Sequence, residues 1–129
     1  MRRVFFLLTF AALASTASVS GHHSFSAYYF ADQLISIEGN VQEFDYVNPH
    51  AWLHIMAPDK EGRLQKVSGE WAPPGRLVQQ GIMKETLKPG ERVIVTGKPS
   101  RDMIGFKIQL TRVYRIADGW TWAGRSEPR

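Results

Sequence analysis

From Leu34 the apolar positions recur every second residue, the period of a strand with one buried face. Ile35, Ile37 and Val41 alternate with Ser36, Glu38, Asn40 and Gln42, and the phase then flips so that Phe44 and Tyr46 continue the apolar face. A flip inside one long strand predicts a bulge or strong bend near Gln42–Glu43. Asn48-Pro49 marks a turn. The next run again has period two, with Ala51, Leu53 and Ile55 on one face and His50, Trp52, His54 and Met56 on the other. On a regular strand His50 and His54 would stand about 13 Å apart, and His54 and Met56 about 7 Å.

Pro58 to Gly62 reads as a hairpin loop, and Leu64 to Trp71 as a third strand. Pro73-Pro74-Gly75 opens a short helix, because proline is tolerated in a first turn, and Leu77, Val78 and Ile82 give it an apolar stripe. Gly81 is where it should stop. After the Pro89-Gly90 turn, Val93, Val95 and Gly97 alternate against Arg92, Ile94, Thr96 and Lys98. A last strand is expected from about Ile104 to Ile116, before Asp118-Gly119 turns into a Trp120/Trp122 tail.

Three strands, a helix and two strands predict an all-β fold: a small five-stranded OB-like barrel with one short helix between strands 3 and 4. The expected organisation is a signal peptide at 1–21, a lead-in segment at 22–33, the barrel at 34–117 and a C-terminal tail at 118–129. Residues 24–33 carry Phe25, Tyr28, Tyr29 and Phe30 and should lie on the barrel as an irregular aromatic segment.

The chain start changes the picture. Arg2-Arg3, an apolar run from Val4 to about Ala17, and then Ser18, Ser20 and Gly21 follow the order of an export signal. The run falls short of the ~20 apolar residues of a transmembrane helix. Cleavage after Gly21 would leave His22 first, its amine and ring able to grip one metal. A cut after Ser20 would instead give Gly21-His22-His23, suited to square-planar Cu(II) or Ni(II). A cut after Ala17 would set the pair inside a longer tail. The expected location is the periplasm, with no stable membrane anchor after cleavage. The net charge is +4, and loss of Arg2 and Arg3 with the signal leaves +2. That balance, together with export, argues against nucleic acid as a partner. Cysteine is absent from the sequence, which removes disulfides, thiol nucleophiles and a lipoprotein anchor from consideration.

His22-His23-Ser24-Phe25, Gly39-Asn40-Val41, Asn48-Pro49-His50-Ala51-Trp52 and Leu87-Lys88-Pro89-Gly90-Glu91, with Val93, Val95, Thr96 and Gly97, occur together. In these motifs the chain resembles a family of small exported bacterial proteins of unknown function, with an HHSF mature N-terminus and an NPHAW turn. The resemblance implies a small exported β-rich domain and carries no activity with it. Family members often bear an acidic residue where this chain has Phe30.

All four histidines fall in two clusters, His22/His23 and His50/His54. The favoured ligand set is His22, His23 and His50, a nitrogen-rich site for copper, with zinc or nickel as alternatives. A secondary metal or ligand face is formed by Trp52, His54 and Met56, whose softer sulfur would suit Cu(I) or Ag(I). Each has a plainer reading. His22 and His23 can be solvated tail residues, and His50 can simply bond its own turn. His54 can be a cross-strand partner, Met56 core filler and Trp52 a packing lid. Trp71, Trp120 and Trp122 should pack the barrel mouth.

Catalysis finds little support: no Gly-x-Ser-x-Gly elbow occurs, and Ser24 and Ser68 lack an adjacent signature. A His50–Asp45 orienting pair is conceivable, and a histidine-led chelate could support oxidative copper chemistry, but so short a chain offers little substrate platform. The expected role is a periplasmic metal carrier or sensor, with a periplasmic protein as receiving partner. The competing role is a metal-free module that recognises a saccharide or peptide on the aromatic face of strands two and three.

Overall fold

The computed structural model describes residues 25–102 and 104–124. The chain enters through a one-turn helix α1 (Phe25–Tyr28). The barrel strands are β1 (Ile35–Asp45), β2 (Trp52–Pro58), β3 (Leu64–Glu70), β4 (Arg92–Pro99) and β5 (Phe106–Arg115), with helix α2 (Pro74–Gln79) between β3 and β4. The sheet order β3-β2-β1-β4-β5 is closed by a parallel β3–β5 pairing. This is the five-stranded barrel, with its helix between strands 3 and 4, that the alternation predicts. Closure removes the exposed edges that an open sheet would present.

The long first strand serves both neighbours. Ile35–Asn40 pairs with β4 and Asn40–Asp45 with β2, and the register shifts between Val41 and Glu43. The expected phase flip is therefore a bulge, and it lets Val41 and Phe44 both point inward although they are three residues apart. A second shift lies between Thr96 and Gly97 against β5. β5 flips its buried face there too, from Leu110 to Val113. Gly39 marks the tightest crossing on β1, where a Cβ would come within 2.6 Å of the Met56 carbonyl oxygen.

Leu53, Ile55, Val67, Val93, Val95, Ile108 and Val113 fill the interior, and α2 closes one end with Leu77 beside Ile82 and Leu87. α2 begins at Pro74, and Gly81 follows it with φ of 76°, the left-handed conformation that ends a helix at least cost in glycine.

Several elements differ from the sequence reading, beginning with the lead-in segment, expected to be irregular, which opens with the helical turn α1. β3 ends at Glu70 rather than Trp71, and β5 spans less than 104–116. The Trp120/Trp122 tail adds a short strand β6 (Thr121–Ala123), paired antiparallel with Arg112–Tyr114 of β5. Trp122 meets Trp71 at a ring separation of 4.9 Å, so these tryptophans pack together on the core, as the sequence predicts, and only the strand pairing of the tail is new. Among the described residues no helix is long and apolar enough to cross a membrane.

Candidate functional site

The lead-in segment lies across the barrel and is tied down at several points. Tyr29 bridges Ser100, Phe30 donates its amide to the Pro99 carbonyl, and Arg101 donates its amide to the Tyr28 carbonyl. The Arg101 side chain donates to the Ser26 carbonyl and lies over the Phe30 ring, 4.4 Å from its centre. Phe30 thus acts as a face for a cation. At the other end of the segment the Phe25 ring meets the His50 ring edge-on, with centroids 5.9 Å apart. The segment therefore runs from the β4–β5 loop to the turn before β2.

His50 does not stand on the face of β2, because that strand begins at Trp52. It sits in the preceding turn, after a cis Asn48-Pro49 bond. Its Nδ1 lies 3.1 Å from the Trp71 carbonyl oxygen and 3.6 Å from Glu70 Oε1. Both neighbours can only accept, so a proton is assigned to Nδ1, and in the neutral form of the ring the lone pair is on Nε2. Among the described residues Nε2 has no hydrogen-bond partner. A ring held at one nitrogen by a carbonyl or carboxylate, with the other open, is the arrangement found behind histidine metal ligands.

Glu70 is the carboxylate of this corner. Its Oε2 accepts the Tyr29 hydroxyl while Oε1 faces His50. Its side chain is only 15% exposed, against 32% for His50. Burial, reinforced by the Glu70 carboxylate, holds the Tyr29 phenol well above the ordinary tyrosine range. Tyr29 therefore remains a donor across physiological pH. The orienting acid of His50 is thus Glu70 and not Asp45.

Asp45 belongs to His54 instead. His54 Nε2 lies 3.2 Å from Asp45 Oδ2, and Nδ1 lies 2.9 Å from Ser68 Oγ. The three residues stand side by side across β1, β2 and β3, with His54 opposite Ser68. Trp52 stacks on the His54 ring with planes 5° apart. Carboxylate, imidazole and hydroxyl in a row resemble the parts of a nucleophilic triad. However, β3 is paired on both sides at Ser68, with His54 and with Lys107. The strands on either side of Ser68 are joined to β3 by ladder pairing. The row reads as a cross-strand polar ladder. Met56, half-buried, continues this face between Asn40 and Lys66.

His50 and His54 thus belong to separate clusters, and His22 and His23 lie outside the described residues. Among the described residues no three His, Asp or Glu side chains gather as a metal-holding group. A centre built on His50 would draw its other donors from the chain preceding Phe25. Glu70 and Tyr29 escape sequence reasoning because Glu70 occupies an ordinary polar position on β3 and Tyr29 one of several aromatics. The usable signal was Glu70 lying at the end of a strand beside buried Trp71.

No curated protein sequence matches the chain. Among solved structures it is similar to the S. pombe Stn1–Ten1 complex, with 18% identity and a TM-score of 0.45, over 66% of this chain and 59% of that chain. It is also similar to a small single-stranded DNA-binding protein from Streptomyces coelicolor, with 16% identity and a TM-score of 0.45, over 66% of this chain and 92% of that one. A mitochondrial single-stranded DNA-binding protein from S. cerevisiae, Rim1, matches with 15% identity and a TM-score of 0.41, over 65% and 93% of the two chains. The sequence profile of one family matches residues 10–107, and the chain belongs to that family, DUF6152, a family of unknown function.

Proposed function

We propose that this protein is an exported periplasmic barrel that binds Cu(II) through His22, His23 and His50 and serves as a metal carrier or sensor. The observation that carries the reading is the state of His50: Nδ1 is tied to the Trp71 carbonyl, Nε2 has no hydrogen-bond partner among the described residues, and the ring touches Phe25. His23 precedes Phe25 by two residues and His22 by three, so their Cα atoms lie within about 7 and 10 Å of Phe25. Two imidazoles and a chain-terminal amine within that reach of Phe25, whose ring touches His50, would make a nitrogen donor set with it. Nitrogen donors favour copper among the divalent ions, ahead of nickel and zinc.

His50 would offer Nε2, and Glu70 would supply a buried negative charge beside the cation. Phe25 and Tyr29 would keep water from one side. Copper is cargo on this reading, and no reaction of a bound substrate is required. The saccharide or peptide reading would use Trp52, but that ring already stacks on His54.

The test compares protein beginning at His22 with protein carrying one extra residue before it. Titration with Cu(II) against a competing chelator should show at least a tenfold weaker Kd for the extended form, because the terminal amine is displaced. Equal affinities would remove the terminal chelate. Absence of Cu(II) binding, with retention on a saccharide matrix, would transfer the function to the aromatic face.

A further inference from the structure

We infer that the cleft beside the second half of β1 is a docking site for an extended peptide, which pairs with β1 as an added strand and sets basic side chains opposite Glu43 and Asp45. The inference does not depend on the copper reading. β4 accompanies β1 only as far as Asn40, opposite Arg92. Val41 then bonds the chain that precedes β4: its amide donates to the Glu91 carbonyl, and its carbonyl accepts the Gly90 amide. From 42 to 46, among the described residues, no strand pairs with that flank and no backbone bond is made across it. Barrel closure leaves this half-flank open, and an open strand flank is a template for pairing with another chain.

The flank borders a cleft. Residues 42–47 form one wall, and the loop between α2 and β4 forms the other through Lys84, Leu87 and Lys88. The cleft holds about 660 Å³, within the range of ~300–1,000 Å³ common to ligand clefts. Both walls are fixed. The Tyr46 hydroxyl lies 3.0 Å from the Pro74 carbonyl oxygen and 2.9 Å from that of Ile82. On the loop, Arg115 donates to the Thr86 carbonyl and the Lys88 amide to the Glu91 carboxylate. A cleft ordered in advance lowers the entropy that binding must overcome.

Charge selects the occupant. Glu43 is exposed and Asp45 half-buried, on either side of buried Phe44. Asp45 bonds His54 through Oδ2, which leaves Oδ1 for a cation. An added strand brings alternate side chains beside these carboxylates, where opposite charge is favoured, and sets the residue between them over Phe44. Lys84 and Lys88 stand on the other wall, so register with β1, and not a general excess of acid, makes the choice. A second copy fits poorly. Two-fold pairing of β1 flanks about Phe44 would set Glu43 against the partner's Asp45, a like-charge pair.

The experiment titrates the 15N-labelled protein with a capped five-residue peptide that has lysine second and fourth and valine between them. NMR should show saturable shifts confined to residues 42–47 and 84–89. Methylating the peptide's backbone amides at alternate positions should weaken Kd at least tenfold for one set and little for the other, because only one set faces β1. Replacing both lysines by glutamate, and Glu43→Lys in the protein, should each weaken Kd about threefold or more. Equal losses for the two methylated sets overturn strand addition. A glutamate peptide that binds as tightly overturns the charge assignment. Shifts centred on Trp52, or no saturable shifts, overturn the site, and a wild-type dimer joined through residues 42–47 overturns the peptide as occupant. The methylated peptides use wild-type protein, so they decide even if Glu43→Lys does not fold.

Discussion

At His54 both ring nitrogens are held by neighbours, Nδ1 by Ser68 and Nε2 by Asp45, and the Trp52 ring runs parallel to it with centroids 6.4 Å apart. At His50 only Nδ1 is held among the described residues, and the ring meets Phe25, in the segment that follows His22 and His23. The two residues are four apart in sequence, yet one is embedded in a sheet face and the other closes a turn. Burial alone does not separate them in kind, since both are shielded to a degree, with side-chain exposures of 12% and 32%. The vacancy of one nitrogen does. A histidine whose neighbours satisfy one nitrogen and leave the other is able to ligate a metal, whereas one with both satisfied is committed to the fold.

The contrast can be broken most directly by removing each ring in turn. His50→Ala should weaken Cu(II) binding at least tenfold with little change in melting temperature, because the turn keeps its backbone contacts. An unchanged Kd would take His50 out of the site. His54→Ala should do the opposite. It should leave Kd within about twofold and cost about 1–2 kcal/mol of stability, since Asp45 and Ser68 both lose a partner in a half-buried setting. Copper titration and thermal unfolding on the same two proteins separate the cases, and a matching loss of affinity in both would merge the clusters.

A smaller effect lies far from both histidines and serves as a reference. Hydrogen bonds from the Arg115 side chain and then from the Trp120 amide hold the Asp118 carboxyl below its ordinary value of 3.8. A lowered folded value means that the contact stabilises fully above the unfolded value and is lost as pH falls through the folded one. Between pH 5 and 3 the wild type should lose slightly more melting temperature than Asp118→Asn. The same small difference should appear in the His50 and His54 variants. Both partners reach solvent, so the shift is expected to be the slightest of the series.

Much of the barrel was legible because alternation reports one buried face. The flip at Gln42–Glu43 could be read as a bulge since Val41 and Phe44 cannot both face inward on a regular strand. Period two on β4 and the Pro-Pro-Gly start of α2 were equally direct. β6 was not legible: Thr121–Ala123 is too short to show a period, and its strand character comes from pairing with β5 and from Trp122 meeting Trp71. The surroundings of the histidines were harder still, because they depend on registers that a single sequence does not encode. Two short clusters of histidine could be seen. That Asp45 reaches His54, while Glu70 reaches both His50 and Tyr29, follows from pairings across 9, 20 and 41 positions. The expected alignment of His50 with His54 on one strand face failed for a local reason, since the turn runs through Ala51 before β2 begins.

The central claim is that copper joins the chain's mature start to His50, and mass spectrometry of intact protein purified from periplasm tests it most directly. The protein would be kept unheated and free of chelators, so that one spectrum reports both the first residue and any bound metal. The account predicts a chain beginning at His22 or Gly21 that carries one copper, with the metal absent from His50→Ala prepared in the same way. A chain beginning at Ser18, or a correctly cleaved protein that stays metal-free after Cu(II) is added, would contradict it.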